Sequence, residues 1–410
     1  MTKKTNIKNF IWNALGLTLN SANSFFLLMA VRYINGLDIA GIFTYAFALC
    51  ALEYTLASYY NRSFQVSETK NNYSFNDYLS CRAITSIISL VLLIVFAIIS
   101  HLSVFEISVI LSLSSFRLVE VVSDCFYGAI QKKDKLYQTG ISLSIKAIIG
   151  LITFIVTDYL TSNLIVATTA LATINLIIFF IYDLKNFRKL YQEKIRLNFT
   201  KSLSLFKSCF PILIFSALAI FLSNCQKYIL PLFVPDDIQA IFGILIMPAT
   251  VLGLIGAYLI NPFINIFSSH HQQKKYVDFA QFAKKILLAI TGIGAFALII
   301  CHFAGIPLLQ LIFQLNLSEY QLALELIILA SIFYAIALII SSLLTILNEN
   351  RRQTYIYLIS AISATISGFL LIPSFGIYGA VYSFLISSCI LTSLYVILLQ
   401  LTIHKAKHEK

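Results

Sequence analysis

Three charged residues stand close together inside one long apolar run: Arg117, Glu120 and Asp124. Their spacing, i, i+3 and i+7, puts them on one face of a helix that turns about 100° per residue. Ser114 and Tyr127 prolong that face at its two ends, so the run predicts a polar stripe through an apolar helix. A charge at the centre of a bilayer costs about 2.5–3.5 kcal/mol, and such a stripe must face partners or a wet cavity. Arg117 and Glu120 can pair and merely pack a bundle, but Asp124 then remains over and needs a partner of its own. Two carboxylates this close disfavour double ionisation, which predicts Glu120 paired and Asp124 the titrating member.

Other charges also fall in apolar runs. Lys146 sits towards the start of one, Lys227 near the end of another after Asn224 and Gln226, and Arg32 at the end of the first. Ordered by expected depth, Lys146 is inner, Arg117 central, and Arg32 and Lys227 outer. That order makes a ladder of cations along which an anionic headgroup, such as a pyrophosphate, can step. Arg32 and Lys227 can alternatively snorkel to the interface. Glu53 and Glu325 join Glu120 and Asp124 as carboxylates within apolar runs, and all four are candidates for a proton or sodium relay. Tyr45, Tyr54 and Tyr59 share the second run and are candidates to line a sugar path. None of the six histidines is clearly mid-membrane, and none receives a role.

The elements that must position these residues are apolar helices. The chain has 410 residues, 59% hydrophobic and only 11% charged, with a mean hydropathy of +0.86. Soluble domains carry about 25% charged residues, so an ordinary soluble or disordered chain is excluded. Runs near 10–31, 39–59, 79–99, 106–127, 139–157, 163–182, 208–230, 237–261, 284–304, 319–346, 354–373 and 377–402 are each long enough to span. A span takes about 20 residues. The first run reads as a transmembrane helix, not a cleaved leader, because no small-residue cleavage site follows it. The expected fold class is an all-α polytopic membrane protein of about twelve spans. Its parts are an N-terminal six-helix lobe (1–182), a basic linker (183–207) and a C-terminal six-helix lobe (208–410).

Net charge is +11, from 29 Lys and Arg against 18 Asp and Glu. In a soluble protein this would suggest nucleic acid. Here 25 of the 29 basic residues lie in alternate loops and at the two termini, and the intervening loops hold only Arg32. The positive-inside rule accounts for that bias and places the basic loops and both termini in the cytoplasm. The linker carries Lys185, Arg188, Lys189, Lys194, Arg196, Lys201 and Lys207 against Asp183 and Glu193. Leu184, Phe187, Tyr191 and Ile195 recur there at helical spacing and predict an amphipathic helix on an anionic leaflet.

Local signals agree with these boundaries. Ser74 with Asp77 and Ser103 with Glu106 predict capping boxes before the third and fourth spans. Asp38 and Asp237 are expected to be the N-caps of the second and eighth. Asp38-Ile-Ala-Gly-Ile-Phe43 and Asp237-Ile-Gln-Ala-Ile-Phe242 match at four of six positions, a faint sign of two parallel halves. All seven prolines lie in the second half, and Pro248 should kink the eighth span. The seven cysteines show no CxxC spacing and no cluster with histidine, which argues against disulfides and zinc. No Walker A, GxGxxG, HExxH or GxSxG sequence is present. No catalytic motif and no large outward loop suit an enzyme such as a polysaccharide polymerase, and no cofactor is expected.

Two loops and a turn carry a resemblance. Asn61-Arg-Ser-Phe-Gln-Val-Ser-Glu-Thr-Lys70, Tyr73-Ser-Phe-Asn-Asp-Tyr78 and Arg82 resemble the loop after the second span of Wzx-type polysaccharide flippases. Tyr127-Gly-Ala-Ile-Gln131 is similar to that family's exit from its fourth span. Ile372-Pro-Ser-Phe-Gly-Ile-Tyr-Gly-Ala380 is similar to its turn between spans eleven and twelve. The resemblance extends over nearly the whole chain and implies the multidrug/oligosaccharidyl-lipid/polysaccharide exporter superfamily, with two six-helix lobes around a central cavity. It implies transport of undecaprenyl-pyrophosphate-linked oligosaccharide from the inner to the outer leaflet of the cytoplasmic membrane, coupled to a proton or sodium gradient. O-antigen and capsule pathways are the settings it suggests. The partners implied are the polyprenyl-linked oligosaccharide, membrane lipids and other polysaccharide assembly proteins, with no nucleic acid. A drug/cation antiporter of the same superfamily is the alternative, and it would favour an acidic, aromatic cavity.

Overall fold

The computed structural model describes residues 3–59, 61–68, 72–192 and 194–408; Lys70 and Glu193 lie outside the described residues. The described chain is helical, with no strand. Its contacts divide it into two units, Met1–Ile220 and Phe221–Lys410, so the division falls within a helix rather than in the basic linker.

The N-terminal unit begins with α1 (Lys3–Asn35), α2 (Leu37–Ser58), the short α3 (Asn61–Ser67) and α4 (Phe75–Ile99). It continues with α5 (Val104–Lys132), α6 (Leu136–Thr161), α7 (Leu164–Ile178), a π-helical turn Phe179–Leu184 and α8 (Lys185–Leu190). Next comes α9 (Ser202–Ile229), which runs into the second unit. That unit holds α10 (Asp236–Leu245), α11 (Met247–Ile260), α12 (Ile264–Gln272), α13 (Tyr276–Ile300), a second π turn Cys301–Gly305 and α14 (Ile306–Phe313). It closes with α15 (Gln321–Ile346), α16 (Asn350–Phe375) and α17 (Ile377–His408). Among the described residues, eleven helical segments are long and apolar enough to cross a membrane. The remaining expected span is α5, whose centre carries the charged stripe.

Sequence chemistry sets the ends of these helices. Both expected capping boxes form: Ser74 and Ser103 accept from the backbone N–H of Asp77 and Glu106, whose carboxylates accept in return. Asp38 and Asp237 are not N-caps as expected. Gly36 and Pro235 hold those positions, and each aspartate lies in the first turn, where its charge still complements the helix dipole. The eighth span breaks at Ile246, just before Pro248, and again at Asn261–Phe263 around Pro262. Between α16 and α17 the chain reverses at Gly376, whose φ of +52° suits glycine. A Cβ on Gly379 would lie 2.3 Å from the Leu371 carbonyl oxygen, so the turn depends on both glycines. The same kind of approach joins α1 to α6, where a Cβ on Gly140 would lie 2.1 Å from the Trp12 carbonyl oxygen.

The linker departs from the expected amphipathic surface helix. The sixth span continues through the π turn and α8 to Leu190, which draws Asp183 and Phe187 inward. Phe187 packs on Phe75 and Phe126 at centroid distances of 4.3 and 4.9 Å and stacks on Tyr191 at 4.8 Å. Residues 194–199 run without regular structure along the start of α4. The Asn76 side chain donates to the Lys194 carbonyl and accepts from the Arg196 N–H; Asn198 N–H donates to Ser80 Oγ at 2.6 Å. A large aromatic surface and these backbone bonds outweigh what a basic stretch gains on an exposed interface.

The two units share four helix pairings. In the first, α5 packs on α2, α4 and α7, and α6 on α7. In the second, α15 packs on α11, α13 and α17, and α16 on α17. Counted as spans, these are the same pairs, fourth with second, third and sixth, and fifth with sixth. The short sequence match between the halves therefore has a counterpart in their internal packing.

Candidate functional site

The polar stripe of α5 faces into the N-terminal unit. A cavity of about 190 Å³ opens there, walled by Arg62, Arg117, Glu120, Ser123, Asp124 and Lys146, with Asn20, Tyr54 and Tyr127 completing its polar lining. Every one of these residues belongs to α1, α2, α3, α5 or α6 of that unit.

Arg117 Nη1 donates to Glu120 Oε2 at 2.6 Å, the intrahelical pair the spacing predicts. The same guanidinium lies 4.5 Å from the Phe47 ring centroid, and its Nε has no hydrogen-bond partner among the described residues. One turn earlier on α5, Ser114 donates to Glu53 Oε1 at 2.6 Å. Glu53 is 2% exposed, and its other oxygen is left without a hydrogen-bond partner among the described residues.

Asp124 is not the spare acid the spacing suggests. Arg62 Nη1 reaches its Oδ1 at 2.9 Å and Arg82 Nη2 its Oδ2 at 3.0 Å. Arg82, 1% exposed, also donates to the Val121 carbonyl. Two guanidiniums clamp the carboxylate, so Asp124 bridges two cations instead of standing unpaired. Arg62 also holds the Gln131 amide oxygen, at 3.0 Å from Nη2.

Lys146 is not a free rung of a ladder. Its ammonium contacts Asp183 Oδ2 at 2.6 Å, Ser123 Oγ at 2.6 Å and Tyr127 OH at 3.1 Å. Asp183, 1% exposed, also accepts from Ser142 at 2.5 Å. A charge counted in a loop at the sequence level thus proves to be the buried partner of Lys146.

The other expected site residues lie elsewhere. Arg32 ends α1 in its last turn, beyond the cavity lining. Lys227 is in the last turn of α9, in the C-terminal unit, and no carboxylate pairs with it among the described residues. Glu325 sits near the start of α15, bonded to His302 Nδ1 at 2.8 Å and to the Gln321 amide at 2.7 Å. His302, left without a role by the sequence, is therefore its partner. Tyr54 lines the cavity, while Tyr45 and Tyr59 do not. Arg62, Arg82 and Asp183 were given no site role because Arg62 lies in the short α3, Arg82 at the start of α4 and Asp183 just past the sixth apolar run, so all three were counted with the loops.

No family profile matches the chain. The capsular polysaccharide biosynthesis protein CapF of Staphylococcus aureus is 25% identical over 385 residues, 93% of this chain and 96% of that protein. The lipid II flippase MurJ in an inward closed conformation superposes with a TM-score of 0.71 at 14% identity, covering 99% of this chain and 90% of the other. An outward-facing multidrug resistance MATE transporter of the MOP superfamily superposes with a TM-score of 0.68 at 10% identity over 100% of both chains. With its apolar spans, the chain is a multi-pass membrane protein, and its fold is the one these transporters share.

Proposed function

We propose that this chain is a flippase that carries polyprenyl-pyrophosphate-linked oligosaccharide, of the undecaprenyl type, across the cytoplasmic membrane for surface polysaccharide assembly. The observation that carries the reading is the cavity within membrane-crossing helices walled by Arg62, Arg117 and Lys146. Counting the partners just behind the wall, Arg82 and Asp183, four cations meet three carboxylates there, Glu120, Asp124 and Asp183. That balance suits a pyrophosphate better than a cationic drug, whose site would call for an excess of acid. Arg117 commits Nη1 to Glu120 and lines the cavity, where a guanidinium can meet an anion. The capsular relative is a further support.

In this reading the basic loops and both termini face the cytoplasm. The pyrophosphate enters against Arg117, the glycan follows into polar space, and the polyprenyl tail stays in lipid. Lys227, which no acid pairs with among the described residues, is proposed as a second substrate-binding cation, within the C-terminal unit. Arg32 is assigned to the outer interface. An ion gradient drives the cycle, and Glu53 is the carboxyl proposed to carry the proton. Glu120 and Asp124 are held by arginines, and Glu325 lies against His302.

The test is flipping of a fluorescent polyprenyl-pyrophosphate oligosaccharide in proteoliposomes. Unvaried protein should translocate it, Arg117→Ala should lower the rate at least tenfold at equal reconstitution, and Arg117→Lys should retain a fraction. Full activity of Arg117→Ala would remove this residue from the path. Transport of a cationic dye in place of the glycolipid would favour the antiporter.

A further inference from the structure

A second concavity, separate from the charged cavity, lies on the basic-loop side of the N-terminal unit. It has a volume of about 870 Å³, within the range of ligand pockets. Helix α3 divides the two: Arg62 faces the inner cavity, whereas Gln65 and Val66 face this recess. The Arg62–Gln131 bond spans the boundary, since Gln131 lines the recess.

The walls are aromatic and already fixed. Tyr73 donates to or accepts from Ser204 at 2.9 Å, Tyr78 donates to Glu68 at 3.0 Å and Tyr191 donates to the Ala129 carbonyl at 3.0 Å. Their hydroxyls are committed to the protein; Tyr78 is itself buried, and the partly exposed rings of Tyr73 and Tyr191 serve the recess as preformed apolar surface. Such rings suit the C–H face of a pyranose.

The polar edges ask for a ligand of two kinds at once. Asp77, 2% exposed, uses Oδ2 in its capping box, and its Oδ1 has no hydrogen-bond partner among the described residues. An orphaned carboxylate oxygen calls for a hydroxyl donor. Lys132, Lys133 and Lys201 also line the recess, against Asp77 and Asp134. Lys132 is 3.8 Å from Glu68, Lys133 stands 5.2 Å over the Tyr191 ring, and Lys201 donates to the Asn72 carbonyl at 2.7 Å with its other N–H groups to spare. These ammonium groups call for an anionic acceptor. Hydroxyl donors and an acid group on one ring-shaped molecule describe an acidic sugar.

We propose that this recess is a second ligand site, which takes a carboxylate-bearing sugar ring. The proposal rests on the flippase reading for its biological sense: the recess would hold the glycan of the incoming lipid-linked substrate while the pyrophosphate seeks Arg117. The site therefore selects for uronic-acid-type glycans.

Binding of digalacturonate, maltose and glycerol 3-phosphate to the purified full-length chain in nanodiscs tests this by saturation-transfer NMR and titration. Digalacturonate should bind at least tenfold more tightly than the other two. Lys133→Gln with Lys201→Gln should weaken it at least tenfold, and the same pair changed to Arg should keep it within threefold. Lys189→Gln, off the recess, should leave it unchanged. Equal binding of maltose would overturn the acid requirement, and equal binding of glycerol 3-phosphate would mean a lipid headgroup site instead. Indifference to the double Gln variant would overturn the location. If unvaried protein flips glycolipid yet shows no preference for digalacturonate, the recess proposal fails and the flippase reading stands. If it binds digalacturonate as expected but does not flip, the flippase reading fails and the acidic-sugar site stands.

Discussion

Lys146 and Asp183 form an ion pair deep among helices, with Tyr127, Ser123 and Ser142 closing around it. Removing one member of a buried pair leaves an unsatisfied charge and costs about 3–5 kcal/mol, whereas an apolar replacement of both is often near neutral. Asp183→Asn should therefore lower the unfolding midpoint in detergent markedly, and Lys146→Met with Asp183→Leu should recover most of the loss without recovering transport. A double variant that transports normally would make the pair purely structural. Glu53 offers the opposite case, since Gln at that position can still accept from Ser114. Glu53→Gln should fold as the parent does but lose the response of flipping to an imposed proton gradient. An unaltered response would move coupling elsewhere. The stripe Ser114–Arg117–Glu120–Asp124–Tyr127 was legible because helical period alone puts its members on one face. Their partners were not, because Arg62, Arg82 and Asp183 come from other elements and no spacing rule connects them.

Helix ends and crossings show the same division. Both capping boxes were readable, since a Ser and an acid three residues apart specify reciprocal bonds within one turn. The π turn at Phe179–Leu184 was not, since its widening answers to Lys146 and the aromatic cluster rather than to its own residues. The α1–α6 crossing depends on Gly16 and Gly140, whose backbones meet with no room for a Cβ. Gly140→Val should separate the two helices and cost about 1–3 kcal/mol, seen as a lower thermal midpoint, while Gly292→Val, where a Cβ meets nothing within 4 Å, should cost little. Equal midpoints would mean that the crossing adjusts freely.

At the scale of the molecule, the two units share four helix pairings but not one chemistry. The hub of the first, α5, carries Arg117, Glu120 and Asp124 at its centre; the hub of the second, α15, carries one charge, Glu325, close to its start. The twelve-span architecture was legible from hydropathy, and the orientation proposed for it follows from loop charge. Single cysteines at Asp236 and Asn316, in a cysteine-free background, should react with an impermeant thiol reagent added to intact cells, and one at Lys189 should not. The reverse pattern would invert the orientation and put the basic recess outside.

The wide turn at Phe179–Leu184 links winding to charge. A helix advances about 100° per residue, so one residue more or less in a turn swings all that follow by that angle. Asp183 stands at the far end of that turn, and its bearing towards Lys146 is set by how the backbone is wound there. Tightening the turn to ordinary α pitch would carry the carboxylate out of register and strand the ammonium, while rewinding would restore both. Any turning of the sixth span about its axis would therefore have to break this buried contact.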